Sequence, residues 1–415
     1  MHRILPGSLS VILVGAWLLL AIASPVPIWG QDRAPATDPA PVKNQATAKI
    51  RKAAKNRGKT KGPKRNRPKK SLVHPLNTTL LPNLLESRGY RPGPHFKGLI
   101  ISIVPSETAK GYEYYPYDFR KTSIERDTWW PASTVKLFAA IAALEKARRM
   151  GFTPRAELTF YYEDGAQTNT LKNLIEHALT FSHNIHFNRL VEFVGFETLN
   201  REFLTRRNGF PNTVMLRSYS GRWRNEETGH GSNRHSPRIL IREGEDKTEI
   251  IEERHGTGSY SCRDQGNCTS LRELSEAMRR VMMHRHLPKS ERYFLSRKAL
   301  ALLKKAMSQD RPKGHGGVVA GLKKGFGQRP VEIFHKGGFA YDWYSDNIFI
   351  RATDTGELWQ VALANYPGRG ALDEAAFHVG ALLAEGTLAK HRAGTAQKRS
   401  DRPQKHLEQC VHAIK

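Results

Sequence analysis

The sequence predicts a mixed α/β (α+β) domain, and three observations carry that expectation. Strand-like runs lie toward one end, residues 99–104 and 112–117, and again toward the other, residues 331–334, 346–351 and 358–364. The stretch between them is mostly helical in its periodicity. With 39% apolar residues in 415, the chain can also bury a large core.

The elements follow in order. The apolar run from Leu99 to Val104 reads as a strand, and Tyr112 to Tyr117 as a second. Residues 137–144 are apolar almost all round and carry no charge after Lys136, which predicts a helix buried in the middle of the domain. A helical run ending near Thr180 is followed by Phe181-Ser182-His183-Asn184 and then by an amphipathic run, residues 185–194. Ser270-Leu271-Arg272-Glu273 has the spacing of a capping box, with Leu271, Leu274, Met278, Val281 and Met282 on the inward face of the helix it starts. The three later strands come next, and a closing helix begins near Leu372.

The chemistry begins at Pro131-Ala132-Ser133-Thr134-Val135-Lys136. A helix turns about 100° per residue, so Ser133 and Lys136, three apart at a helix start, share a face. Burial lowers a lysine pKa and lets the neutral amine accept a proton, so the pair can act as nucleophile and base. Free N–H groups and the positive dipole end at a helix start favour the developing alkoxide. A plain N-cap is the structural alternative for Ser133. Ser182-His183-Asn184 can likewise be a loop or cap, and Lys336 a solvated charge at a strand end.

Three elements in order alter that balance: Ser133-x-x-Lys136, then Ser182-His183-Asn184, then Lys336-Gly337-Gly338 after the strand at 331–334. Together they resemble the S-x-x-K, S-D-N and K-T-G elements of class A β-lactamases and related penicillin-binding serine hydrolases, and the likeness extends from about Phe96 to Leu388. The resemblance implies a β-lactamase-like fold: an antiparallel sheet formed from both chain ends and flanked by helices, an inserted helical subdomain, and an active site at their junction. It also implies roles. Ser133 attacks a carbonyl and Lys136 takes its proton, directly or through water; Ser182 relays a proton to the leaving nitrogen; Lys336 holds Ser182 and attracts a substrate carboxylate. Asn184 bonds the substrate amide. The Ser133 and Phe339 N–H groups form the oxyanion hole, beside Gly337 and Gly338.

Two positions depart from the pattern. His183 stands where aspartate is usual, and Gly337 where a threonine or serine hydroxyl is expected. Class A enzymes also carry a loop glutamate that activates the deacylating water. Here the stretch between Leu216 and Ser261 is long and polar; Arg222-Trp223-Arg224-Asn225-Glu226-Glu227 faintly resembles that loop without the following asparagine, so Glu226 and Glu227 are candidates, with exposed acidic residues as the alternative reading.

The ends differ in kind from the middle. Residues 1–23 read as a secretory signal peptide, with an uncleaved anchor as the alternative. Residues 24–90 read as a linker: thirteen Lys and Arg fall between Lys43 and Lys70, no acid occurs between Asp38 and Glu86, and large apolar residues are scarce up to Ser71, so disorder is expected there. The hydrolase-like domain is assigned to 91–389 and a second basic tail to 390–415. The net charge of +27 invites a nucleic-acid reading. Yet the basic run lacks interleaved aromatics and no nucleic-acid module is recognisable, so an exported protein meeting anionic envelope polymer or membrane is expected instead, with a solubilising role as the alternative.

Cys262 and Cys268 enclose a short polar loop and fit a disulfide in an oxidising compartment. A zinc site with His255 or His230 is the alternative use and lacks a recognised spacing. No phosphate loop, EF-hand or H-E-x-x-H helix occurs, so neither cofactor nor metal is expected. Two functional readings result: an exported serine hydrolase acting on a β-lactam or a cell-wall peptide amide, and a non-catalytic envelope-binding protein that keeps the fold as scaffold.

Overall fold

The strands from both chain ends form one six-stranded sheet, in the order β1 (Leu72–Val73), β3 (Tyr112–Asp118), β2 (Lys97–Pro105), β12 (Leu358–Asn365), β11 (Trp343–Ala352) and β10 (Val331–Ala340). In this computed structural model, residues 71–106, 111–215, 235–256, 262, 266–308 and 317–392 are described. Strands β1, β2 and β3 come from the first part of the chain. Strands β10, β11 and β12 come from the last. Every pairing is antiparallel except β1 with β3. Side chains alternate between the two faces of a strand, so one sheet serves two cores. Leu99, Ile103, Phe349 and Ala362 face the first core. Ile100, Ile348, Ile350 and Val361 face the second, under α1 (Leu80–Ser87), α7 (Val318–Phe326) and α8 (Arg369–Ala384).

The first core is centred on α2 (Lys136–Arg149), whose residues from Leu137 to Leu144 are buried on every side, as the uncharged run predicts. Around it pack α3 (Leu171–Thr180), α4 (Asn184–Val194), α5 (Leu271–Met282) and α6 (Arg297–Met307). Ser270 caps α5 by accepting from the Glu273 N–H at 3.2 Å, and all five predicted inward residues are buried. The Glu273 carboxylate does not close the capping box. It accepts from the Asn212 N–H and the Thr213 hydroxyl instead, tying the preceding loop to the helix start. Cys262 and Cys268 are joined in a disulfide with Cα atoms 5.8 Å apart, a separation ordinary for such a bond.

Four expectations need correction. The middle is not helical alone: β4 (Glu157–Tyr162), β5 (Gly165–Thr170), β7 (Arg238–Arg242) and β8 (Thr248–Ile251) make a second sheet in the order β5-β4-β7-β8. Its outer strands β5 and β8 bury no residue fully, so they carry no period-2 apolar signal. Residues 71–90, assigned to the linker, belong to the fold: β1 pairs with β3, and α1 buries Leu80, Leu81 and Leu85. Strand β10 runs through Lys336, Gly337 and Gly338 rather than ending before them, because β11 pairs with it as far as Ala340. Tyr341 and Asp342 then turn the chain with φ of 50° and 59°, the two positive values a tight hairpin needs. The tail assigned to 390–415 also begins later, since Arg392 donates to Ser102 Oγ at 2.6 Å. The expected signal segment, the basic run at 43–70 and Cys410 lie outside the described residues.

Helices α7 and α8 meet backbone to backbone. A Cβ on Gly325 would stand 2.2 Å from the Phe377 carbonyl oxygen, and one on Gly380 2.4 Å from that of Leu322. Backbone cannot swing away as a flexible side chain does. Gly325→Ala should therefore destabilise the protein by about 1–3 kcal/mol through overpacking, outweighing the ~1 kcal/mol that alanine gains over glycine in a helix. Urea unfolding should show a lower midpoint; a raised midpoint would show that the two helices can separate without loss.

Candidate active site

The chain enters the site through Ala132, whose φ of 46° is left-handed, a conformation costing about 1–2 kcal/mol for a residue with a Cβ. A 3₁₀ turn, Ala132–Val135, follows and passes into α2 at Lys136. Side chains three apart eclipse in such a turn, so Ser133 and Lys136 point the same way, as their spacing predicts. The turn is closed by the Thr134 N–H and hydroxyl, which donate to the Pro131 carbonyl at 3.1 and 2.6 Å.

Ser182 comes from the junction of α3 and α4 and also has a left-handed φ, 55°. The His183 N–H donates to the His177 carbonyl at 3.0 Å, which closes the end of α3 and turns Ser182 toward α2. Lys136, fully buried, donates through Nζ to the Ser182 carbonyl, to Asn184 Oδ1 at 2.6 Å and, at 3.4 Å, to Ser182 Oγ. Lys336 arrives from β10, also buried, and donates to Ser182 Oγ at 2.9 Å and to the Gly337 carbonyl at 2.7 Å. Two amines from opposite sides thus converge on one serine hydroxyl.

Burial sets the protonation of both amines. Lys136 is lowered from 10.5 to about 6, by desolvation first and by the charge of Lys336 second. Lys336 is lowered from 10.5 to about 7 by desolvation, with the Asp346 carboxylate opposing. A neutral amine keeps a lone pair that can take a proton, which is what a base beside a serine requires.

Gly338 decides how closely β10 approaches the nucleophile turn. A Cβ there would meet the Pro131 carbonyl oxygen at 2.7 Å and the Ser133 nitrogen at 2.9 Å. That contact brings the next residue, Phe339, to the start of the turn, where its N–H and that of Ser133 are the expected oxyanion donors. At Gly337 a Cβ would meet Asp346 Oδ2 at 3.4 Å, an ordinary contact, so nothing in the packing explains the missing hydroxyl. Asp346 itself bonds His335 Nδ1 at 2.9 Å, both residues being buried.

His183 belongs to a cluster that sequence reasoning missed. His183 Nδ1 and His186 Nδ1 are 2.8 Å apart, so one of them carries the proton and donates, and the His186 ring stacks on His177 at 4.5 Å. Burial, then His177 and His183, hold His186 down to about 4. His183 is likewise lowered, chiefly by desolvation, so the position of the usual aspartate bears no negative charge. The spacing of histidines at 177, 183 and 186 was the available signal. Glu226 and Glu227 lie outside the described residues.

Comparison with known proteins adds a family. Residues 117–383, more than half of the chain, match the family described as the beta-lactamase enzyme family. Among solved structures, PBP-A aligns with a TM-score of 0.50 at 15% identity, over 77% of this chain and 100% of that one. A mutant of PBP-A, solved as an acyl-enzyme complex with penicillin G, aligns with a TM-score of 0.49 at 15% identity, over 75% and 98%. A class A beta-lactamase from Bacteroides cellulosilyticus aligns with a TM-score of 0.45 at 13% identity, over 74% and 96%. At such identities the likeness to PBP-A is one of fold. No curated protein matches the chain in sequence.

The two lysines make a direct test. By ¹³Cε chemical shift Lys136 should titrate near pH 6, and Lys336→Met should raise that value by removing a like charge. Stability follows with a definite sign. Between about 6 and 10.5 the unfolded chain binds a proton at Lys136 that the fold does not, so stability conferred at this position rises with pH. The wild type should gain stability relative to Lys136→Met from pH 7 to 10. Titration of Lys136 near 10.5 would remove the physical basis for a neutral base.

Proposed function

This chain belongs to the beta-lactamase enzyme family, and we propose that it is an exported serine hydrolase working through an acyl-enzyme on a β-lactam or a cell-wall peptide amide. The observation that carries this reading is the convergence of Lys136 and Lys336 on Ser182 beside the Ser133 turn. Neutral Lys136 takes the Ser133 proton as Oγ attacks the carbonyl carbon. The oxyanion formed is held by the Ser133 and Phe339 N–H groups, one such donor being worth about 3 kcal/mol in the barrier. As the carbon–nitrogen bond breaks, the proton passes from Lys136 through the Ser182 hydroxyl, 3.4 Å away, to the leaving nitrogen. Lys336, when charged, polarises Ser182 and attracts a substrate carboxylate, and Asn184, engaged at Oδ1 by Lys136, presents its amide nitrogen to the substrate.

Release of the acyl group needs a carboxylate-held water. The family carries that carboxylate on a loop glutamate, and in the corresponding stretch here Glu226 and Glu227 are the candidates, without the asparagine expected after them at the family's spacing. Acylation should therefore outrun deacylation. A fluorescent penicillin should label the protein in a burst of one equivalent with slow turnover after it. Ser133→Ala should abolish labelling with no more than about 1 kcal/mol of stability lost, and Lys136→Ala should slow it by about 10²-fold or more. Labelling that persists in Ser133→Ala would remove the nucleophile, and a folded protein that never labels would favour the scaffold reading. Steady turnover at about 10 s⁻¹ would require a carboxylate such as Glu226 or Glu227 to reach the ester.

The basic run at 43–70 supports a tether to anionic envelope polymer or membrane in an exported protein. Such binding acts through charge. It should weaken steeply between 0.1 M and 1 M salt, as the Debye length falls from about 10 Å to about 3 Å, and deletion of residues 43–70 should weaken it while leaving acylation intact. Salt-insensitive sedimentation with anionic vesicles would overturn the tether.

A further inference from the structure

A second cluster, independent of the serine site, stands on a two-stranded ribbon formed by β6 (His235–Ser236) and β9 (Arg254–His255). His235 lies directly opposite His255 in the register. Glu253, two residues before His255, falls on the same face, because side chains alternate along an extended chain. Both imidazoles aim Nε2 at one oxygen, Glu253 Oε1, from 2.8 Å and 3.0 Å. The three ligand atoms lie within 4.8 Å of one another.

The ribbon is held in this attitude from behind. Arg254, between Glu253 and His255, points to the other face and donates to the Glu192 carbonyl at 2.8 Å and to those of Phe193 and Val194 at 3.3 Å, at the end of α4. A strand whose middle residue is clamped cannot rotate, so its two neighbours stay directed outward together with His235.

We propose that His235, Glu253 and His255 form a binding site for a divalent transition metal, zinc above all. Two imidazoles and one carboxylate suit zinc rather than the oxygen-seeking magnesium or calcium. Tetrahedral zinc with bonds of about 2.0–2.1 Å separates its ligand atoms by about 3.3 Å, so the ligand pairs at 2.8 and 3.0 Å need open by only a few tenths of an ångström. The metal takes the place of the N–H protons now shared with the carboxylate. His255 and Glu253 are 68% and 55% exposed, so solvent reaches the fourth position. Bound metal ties residue 235 to β9 and staples the ribbon across its strands.

The full chain, stripped with chelator, should be titrated with zinc chloride by calorimetry and with cobalt chloride by visible absorption. One equivalent of zinc should bind with a micromolar or tighter Kd, and cobalt should give the intense bands of a four-coordinate site. His235→Ala and His255→Ala should each raise the Kd by more than about 100-fold, since losing a ligand exceeds the 10–100-fold typical of losing a ligand's own hydrogen-bond partner. Glu253→Gln should raise it about 10-fold or more, and His186→Ala should leave it unchanged. Because His255 is the exposed member, its variant decides the matter if His235→Ala fails to fold. No binding at 100 μM zinc, or equal affinity in His235→Ala/His255→Ala, would overturn the proposal. The acylation of Ser133 is a separate readout, so failure here and failure of the hydrolase reading are told apart.

Discussion

The burial of two lysine amines around the Ser182 hydroxyl is the constraint on which the rest of the site depends. Water would hold both amines charged; taken out of water, each loses charge to a degree set by its neighbours, the charge of Lys336 adding to the loss at Lys136 while the Asp346 carboxylate opposes it at Lys336. The result is one amine suited to accept a proton and a second with a higher affinity for one. Neither state is a property of the lysine alone. Both follow from the depth at which α2 and β10 carry the side chains into the domain.

That depth is produced by the sheet. Lys336 sits on β10, contributed by the last third of the chain, and Ser133 follows β3, contributed by the first, and five adjacent strand pairings stand between the two ends of the sheet. Gly338 sets the distance between β10 and the nucleophile turn, while Ala132 and Ser182 each hold a left-handed backbone where the site is assembled. Strain of about 1–3 kcal/mol per residue persists only where surrounding packing over-determines it, and here the closed turn at Pro131 and the bonded end of α3 do so. The helices on the far face, with α7 and α8 in glycine contact, complete the second core that keeps the sheet rigid.

Much of this was legible along the chain. The uncharged helix after Lys136, the capping serine at 270 and the strands at both ends each follow from a local periodicity or a local hydrogen bond, and the structure keeps them. Of the strands missed, β1, β5 and β8 are short or without a buried face, so nothing in their composition distinguishes them from loop, whereas β4 and β7 bury alternate residues, a period-2 signal that the reading of a mostly helical middle passed over. The histidines at 177, 183 and 186 were visible as residues but not as a cluster. Their rings meet only because the chain turns between α3 and α4. His235, Glu253 and His255 meet through strand pairing across an eighteen-residue gap, for which no ligand spacing exists to be read.

By itself, then, the sequence determined the residue types of the site, their order, and the elements that carry them, because a serine and lysine three apart share a face in any helical turn and apolar runs bury themselves wherever they fold. Only the tertiary structure decided which groups touch and in which protonation state. Lys136 bonds Ser182 and Asn184, Lys336 bonds the same serine from the other side, and His183 turns to His186. The physical reason is that desolvation and Coulomb interaction act through space, and the separations that fix them are set by strand pairing and helix packing between segments as distant in sequence as Lys97 and Ala364.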